Sequence, residues 1–218
     1  MTNSPWTKWS PLSGLASVVL WVVVLILVGD GPGDLDREIL AYYGDDSNRD
    51  QEIASFFLIL AASLFFLWFL LELRQRLLAA EGGPSYLTTL AFSSGLLTTV
   101  LLLTANVFFV ATAFATGDDD FRLDPNTHRL ISNIGYELFV SALTISFVLI
   151  LVASILAVRA GALPRWLGWL GFPVAVFMLV SIIFLPFFAF LGWVGLTSIA
   201  LTWLPAGTRV EPATLPPG

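Results

Sequence analysis

Between Ile53 and Leu73 the chain reads IASFFLILAASLFFLWFLLEL, with Glu72 as its single charge. A helix needs about 20 apolar residues to cross ~30 Å of hydrocarbon at 1.5 Å per residue. Lipid offers the backbone no hydrogen bonds, so a segment like this must satisfy its own amides, and helix is the conformation that does so. Five more apolar runs follow the same pattern, at 12–29, 87–115, 134–158, 165–184 and 187–204. Hydrophobic residues make up 57% of the 218, charged residues only 12%, and mean hydropathy is +0.85. Soluble domains carry about 25% charged residues, and this chain lacks the polar side chains to cover a water-facing surface. The expected fold is therefore all-α: a polytopic transmembrane bundle of six helices.

The loops sharpen the boundaries. "DPNTHRL" offers Asp124 as a cap and Pro125 at the first helical position, so the fourth helix is expected over 125–158. "GG" at 82–83 ends the second, expected over 53–80, with Ser47 as the cap of a preceding start. "GDLDREILAYYGDD" reads as a short outer amphipathic helix between the first two spans. Asp34 caps it, Asp36 and Glu38 suit its first turn, Gly44 ends it, and Leu35, Ile39 and Tyr42 or Tyr43 form its stripe. An ordinary loop turn is the alternative there. Pro186, in the unbroken apolar stretch "FLPFFAF", is expected to break the chain between the last two helices. Residues 1–205 form one bundle domain, and "AGTRVEPATLPPG" reads as a disordered tail over 206–218.

Lys and Arg set orientation. With the N-terminus inside, Lys8, Arg74, Arg76, Arg159, Arg165 and Arg209 are cytoplasmic, and Arg37, Arg49, Arg122 and Arg129 are outside, which favours N-in, C-in. Most of the 16 acids then gather on the outer face. The run from Leu12 to Val28 is too long for a signal-peptide core and reads as a retained helix.

Composition excludes several chemistries. Without cysteine there is no disulfide, thiolate nucleophile or Cys-ligated metal, and His128, the one histidine, rules out multi-His metal or bis-His haem sites within the chain. No phosphate-binding glycine loop, HExxH or serine elbow occurs. No catalytic residue, metal or cofactor is therefore assigned, and with a net charge of −6 and no basic patch, nucleic acid is not an expected partner.

Glu137 stands out inside an apolar segment, "NIGYELFVSALTIS". Ionisable groups in spans avoid lipid and face protein or water. At ~12 Å from the middle of its helix, Glu137 either reaches headgroup water or joins Ser141 and Thr144, at i+4 and i+7, and Asn106 of the third helix. The expected ligand site is this outer-half cluster of Asn106, Glu137, Ser141 and Thr144, with Arg122 or Arg129 as partner of Glu137. Two close glycine pairs, Gly168 with Gly171 and Gly192 with Gly195, predict tight packing of the fifth helix on the sixth.

"RAGALPRWLGWLGFPVAVF", together with "FFLILAASLFFLWFLLELRQRLLAAEGG", resembles a broad group of six-helix bacterial integral membrane proteins frequent in actinobacteria. The likeness spans about residues 50–204. It implies six helices and a bacterial cytoplasmic membrane, and transfers neither an activity nor catalytic positions. The leading functional expectation is a non-catalytic membrane protein that binds an apolar or lipid-like ligand in an outer-half cavity, or serves as an accessory subunit beside a membrane-protein partner or a second copy. The rival expectation is a transporter or proton-coupled carrier with Glu137 as the protonatable group.

Overall fold

The structure is a computed structural model that describes residues 10–29, 31–83, 85–118 and 120–203. Lys8, Arg209 and the tail expected to be disordered lie outside the described residues. A 3-10 turn over Ser10–Leu12 leads into α1 (Ser13–Val28). There follow α2 (Asp36–Tyr43), α3 (Asp46–Glu81), α4 (Tyr86–Ala115), α5 (Pro125–Ala160), α6 (Arg165–Met178) and α7 (Leu185–Trp203). The described residues contain no strand. Five helices are long and apolar enough to cross a membrane: α1 with its leading turn, α3, α4, α5 and α7. Length and composition thus describe a multi-pass membrane protein.

The helix ends follow local chemistry. Asp124 caps α5, its carboxylate accepting the N–H groups of Asn126 and Thr127, with Pro125 in the first turn. Gly82 and Gly161 end α3 and α5 with φ of 78° and 69°, left-handed values that suit a residue without Cβ. α3 starts before the expected 53: Asp45, not Ser47, caps it and accepts the Ser47 N–H at 2.9 Å. At 36 residues α3 is ~54 Å long and projects beyond any ~30 Å core.

α6 departs most from expectation. It ends at Met178, 14 residues from its start, and turns fill the stretch to Phe184. That gives it ~21 Å, short of a span. Pro186 does not separate the last two helices. It sits in the first turn of α7, where a missing N–H costs nothing.

In space the large helices form a ring in chain order, α1–α3–α4–α5–α6–α7, and α7 returns to α1. Gly168 and Gly171 make the close approach, but to α5 rather than α7 alone. A Cβ on Gly168 would lie 2.9 Å from both Ala157 Cβ and Val158 Cγ2 and 3.0 Å from the Ser154 carbonyl. One on Gly171 would meet Ser154 Oγ and, at 3.2 Å, Trp193 Nε1 of α7. Gly192 faces open space. Ser94 ties α4 to α5, donating to the Ile145 carbonyl at 2.8 Å and accepting the Leu149 N–H at 3.2 Å.

The ring has two chemically different ends. At one, the Ser10 hydroxyl donates to Glu72 at 2.6 Å, Ser198 donates to the Pro11 carbonyl, and Arg76 reaches the Leu201 carbonyl. At the other, α2 docks across the start of α3 and the end of α4. Ile39 and Tyr43 are buried there with Val110 and Ala113, while Leu35, expected in the same stripe, stays exposed.

Candidate functional site

Inside the ring, at the end covered by α2, lies a cavity of about 570 Å³. Ligand pockets commonly measure ≈ 300–1,000 Å³. Helical periodicity builds its walls. α3 contributes Glu52, Ser55 and Ile59 at i, i+3 and i+7, and α4 contributes Leu102, Ala105, Asn106, Phe109 and Val110 on one face. α5 contributes His128, Ser132, Tyr136 and Phe139 at i, i+4, i+8 and i+11. From His128 to Phe139 is ~16 Å along the helix, and from Glu52 to Ile59 ~10 Å, so the cavity is deep.

Its two ends differ in chemistry. The deep end is aromatic: Trp21 meets Phe187 edge-on with centroids 5.1 Å apart, and Phe139 meets Phe187 at 5.1 Å and stacks on Phe184 at 5.4 Å. These are the offset and edge-to-face arrangements that aromatic quadrupoles favour. The turn after α6 is secured here by the Tyr136 hydroxyl, which donates to the Ile182 carbonyl at 2.5 Å.

The upper end is polar. The Tyr43 hydroxyl donates to Glu52, 3.1 Å from Oε1 and 3.4 Å from Oε2. The Tyr43 ring lies edge-on to His128 at 5.1 Å. His128 Nδ1 lies 3.0 Å from Thr112 Oγ1, and Nε2 lies 3.4 Å from Ser132 Oγ. Asn106 donates to the Phe56 carbonyl at 3.4 Å, which holds its amide across α3 and α4. Burial, then the neighbouring Glu52 charge, raise the phenol pKa of Tyr43, and push that of Tyr42 up to about 12. A negative charge against a desolvated phenol opposes a second negative charge beside it.

The four residues expected to form a cluster are not gathered into one. Asn106 lines the cavity and is only 5% exposed. Glu137 and Ser141 are exposed, and the half-buried Thr144 donates its hydroxyl to the Val140 carbonyl at 2.9 Å. The reason is azimuth. Glu137 follows the cavity-lining Tyr136 by one residue, a rotation of ~100° on a helix of 3.6 residues per turn. Ser141 shares the Glu137 face. Arg122 is exposed, and Arg129 pairs with Asp36 rather than Glu137, while also donating to the Asp34 carbonyl at 2.7 Å.

Glu52, Tyr43 and His128 were not singled out by the sequence as site residues. His128 in particular is only 7% exposed. Its i, i+4, i+8 relation to Ser132 and Tyr136 was the available signal. No protein family matches the chain, and neither a curated protein nor a solved structure does.

Proposed function

We propose that this protein is a non-catalytic binder of an amphipathic, lipid-like ligand, held in the cavity beneath α2 with its apolar body on the aromatic floor. The observation that carries this reading is the polarity gradient within one cavity: hydrogen-bonding side chains at one end, Trp21, Phe139 and Phe187 at the other. We place the chain N-in, C-in in a bacterial cytoplasmic membrane. α6 and the turn after it make the sixth span, and the cavity lies in the outer half. The basic residues Arg74, Arg76, Arg159 and Arg165 then face the cytoplasm, as the positive-inside rule asks. Service as an accessory subunit remains compatible with a bound lipid.

The carrier reading has less support. Glu137 lies outside the cavity wall, and a second void beside Trp21, lined by Ser17, Ser63 and Phe190, measures about 10 Å³, room for one water. Transport would need a continuous path.

Trp21 provides the test. A single-chain amphiphile brominated at its tail is titrated into the detergent-solubilised protein, and Trp quenching is compared with that of Trp21→Phe. Saturable quenching that disappears in the variant supports the reading. Quenching that never saturates and is identical in both proteins refutes it.

A further inference from the structure

The charges around the cavity do not balance, and the imbalance says what kind of head group the ligand carries. Among the described residues, three that line the cavity bear a formal charge, Asp34, Glu52 and Arg129. Arg129 is already neutralised by Asp36, which lies outside the lining. Among the described residues, neither Glu52 nor Asp34 has a cation within ion-pair distance. Asp34 is exposed and solvated, whereas Glu52 is half-buried in the wall. His128 does not fill the gap, because its two nitrogens turn to Thr112 and Ser132.

A carboxylate offers about four acceptor sites. Glu52 receives the Tyr43 hydroxyl, which leaves acceptor sites unfilled. A charge withdrawn from water is costly unless a counter-charge or further donors replace the solvent.

We propose that the ligand is a cationic amphiphile: an ammonium group seated against Glu52 beside the Tyr43 ring, with an apolar body reaching the Trp21–Phe139–Phe187 floor. This rests on the reading that the cavity binds an amphiphile, and adds the sign of its head group. Tyr43 orients Glu52 through its hydroxyl, and Asn106 and Ser55 line the wall near any polar group beside the ammonium.

The experiment ranks dodecyltrimethylammonium, dodecanol and dodecanoate on the same solubilised protein, by native mass spectrometry and by competition for the Trp21 signal. The ammonium chain is expected to bind roughly tenfold or more tighter than the alcohol, the effect of one partly desolvated charge contact. Glu52→Gln is expected to bring the two to near parity, and Glu137→Gln, outside the cavity, to change nothing. Dodecylphosphocholine separates two sources of the same chemistry. Affinity matching the ammonium chain assigns the site to a zwitterionic choline-type lipid head group, and weaker affinity to a cationic amphiphile without a phosphate. Either result keeps an ammonium at Glu52. Equal binding of all three probes, or preference for dodecanoate, overturns the head-group assignment while leaving an amphiphile site. Failure of every probe to bind overturns the cavity reading itself. The wild-type ranking needs no variant, so it decides the matter even where Glu52→Gln does not fold.

Discussion

Two glycines separate a packing constraint from a conformational preference. Glycine in a helix interior is about 1 kcal/mol less favourable than alanine, so either Gly168→Ala or Gly192→Ala gains up to that much locally. At Gly192 the new methyl enters open space and meets nothing within 4 Å. At Gly168 it lands 2.9 Å from Ala157 Cβ and Val158 Cγ2, against an ordinary carbon–carbon separation of ≈ 3.5–4.0 Å. Val158 can rotate away, but Ala157 Cβ and the Ser154 carbonyl cannot, so α6 must shift off α5. Such overpacking costs about 1–3 kcal/mol. The propensity gain is common to both variants and cancels, leaving a difference in stability of about 1–3 kcal/mol that belongs to the clash alone. Thermal unfolding in one detergent should rank Gly192→Ala at or above wild type and Gly168→Ala lowest. Adding Ala157→Gly to Gly168→Ala should recover part of the loss. If Gly168→Ala melts at or above Gly192→Ala, the contact between α5 and α6 is not as close as described, and the reasoning fails.

Phe187→Ala removes the ring shared by Trp21, Phe139 and Phe184, and is expected to cost about 3–5 kcal/mol and to weaken amphiphile binding, both measurable on one preparation. Asp124→Ala deletes the α5 cap and should cost about 1 kcal/mol by denaturant titration, whereas Asp124→Asn should recover most of it. Burial raises the folded pKa of Tyr42 to about 12, and that of Tyr43 is raised as well, against about 10 for a free phenol. The folded state holds these protons more tightly. Its advantage is therefore complete below pH ~10 and is lost as pH climbs through ~12. Ultraviolet titration should find two of the four tyrosines ionising late, and equal titration of all four near pH 10 would contradict the placement.

Much of this architecture is legible in the chain because lipid forces a simple grammar. Apolar runs become helices, and Asp124–Pro125, Gly82 and Gly161 mark their ends by chemistry that needs no neighbours. The stretch 165–184 shows where that grammar stops. Turn and helix are equally apolar there, so composition holds no sign that α6 ends at Met178. The site fails for a different reason. Depth along a helix can be counted from sequence, but which way a face turns depends on what packs against it. Glu137 has a depth suited to a binding site and the wrong azimuth. Glu52 and His128 sit among loop-like charges and become cavity walls only because α2 folds over them, held by Ile39, Tyr43 and the Arg129–Asp36 pair.

The early end of α6 leaves its mark on the outline of the bundle. Five staves run the height of the cask and one is cut short, with a non-helical plug, Phe184 and its neighbours, wedged into the notch level with the bottom of the hollow. Elsewhere the side of the hollow is closed by neighbouring helices in contact. Here the wall is a turn instead of a rod: Phe184, stacked on Phe139 and packed on Phe187, beside the bond from the Tyr136 phenol to the Ile182 carbonyl.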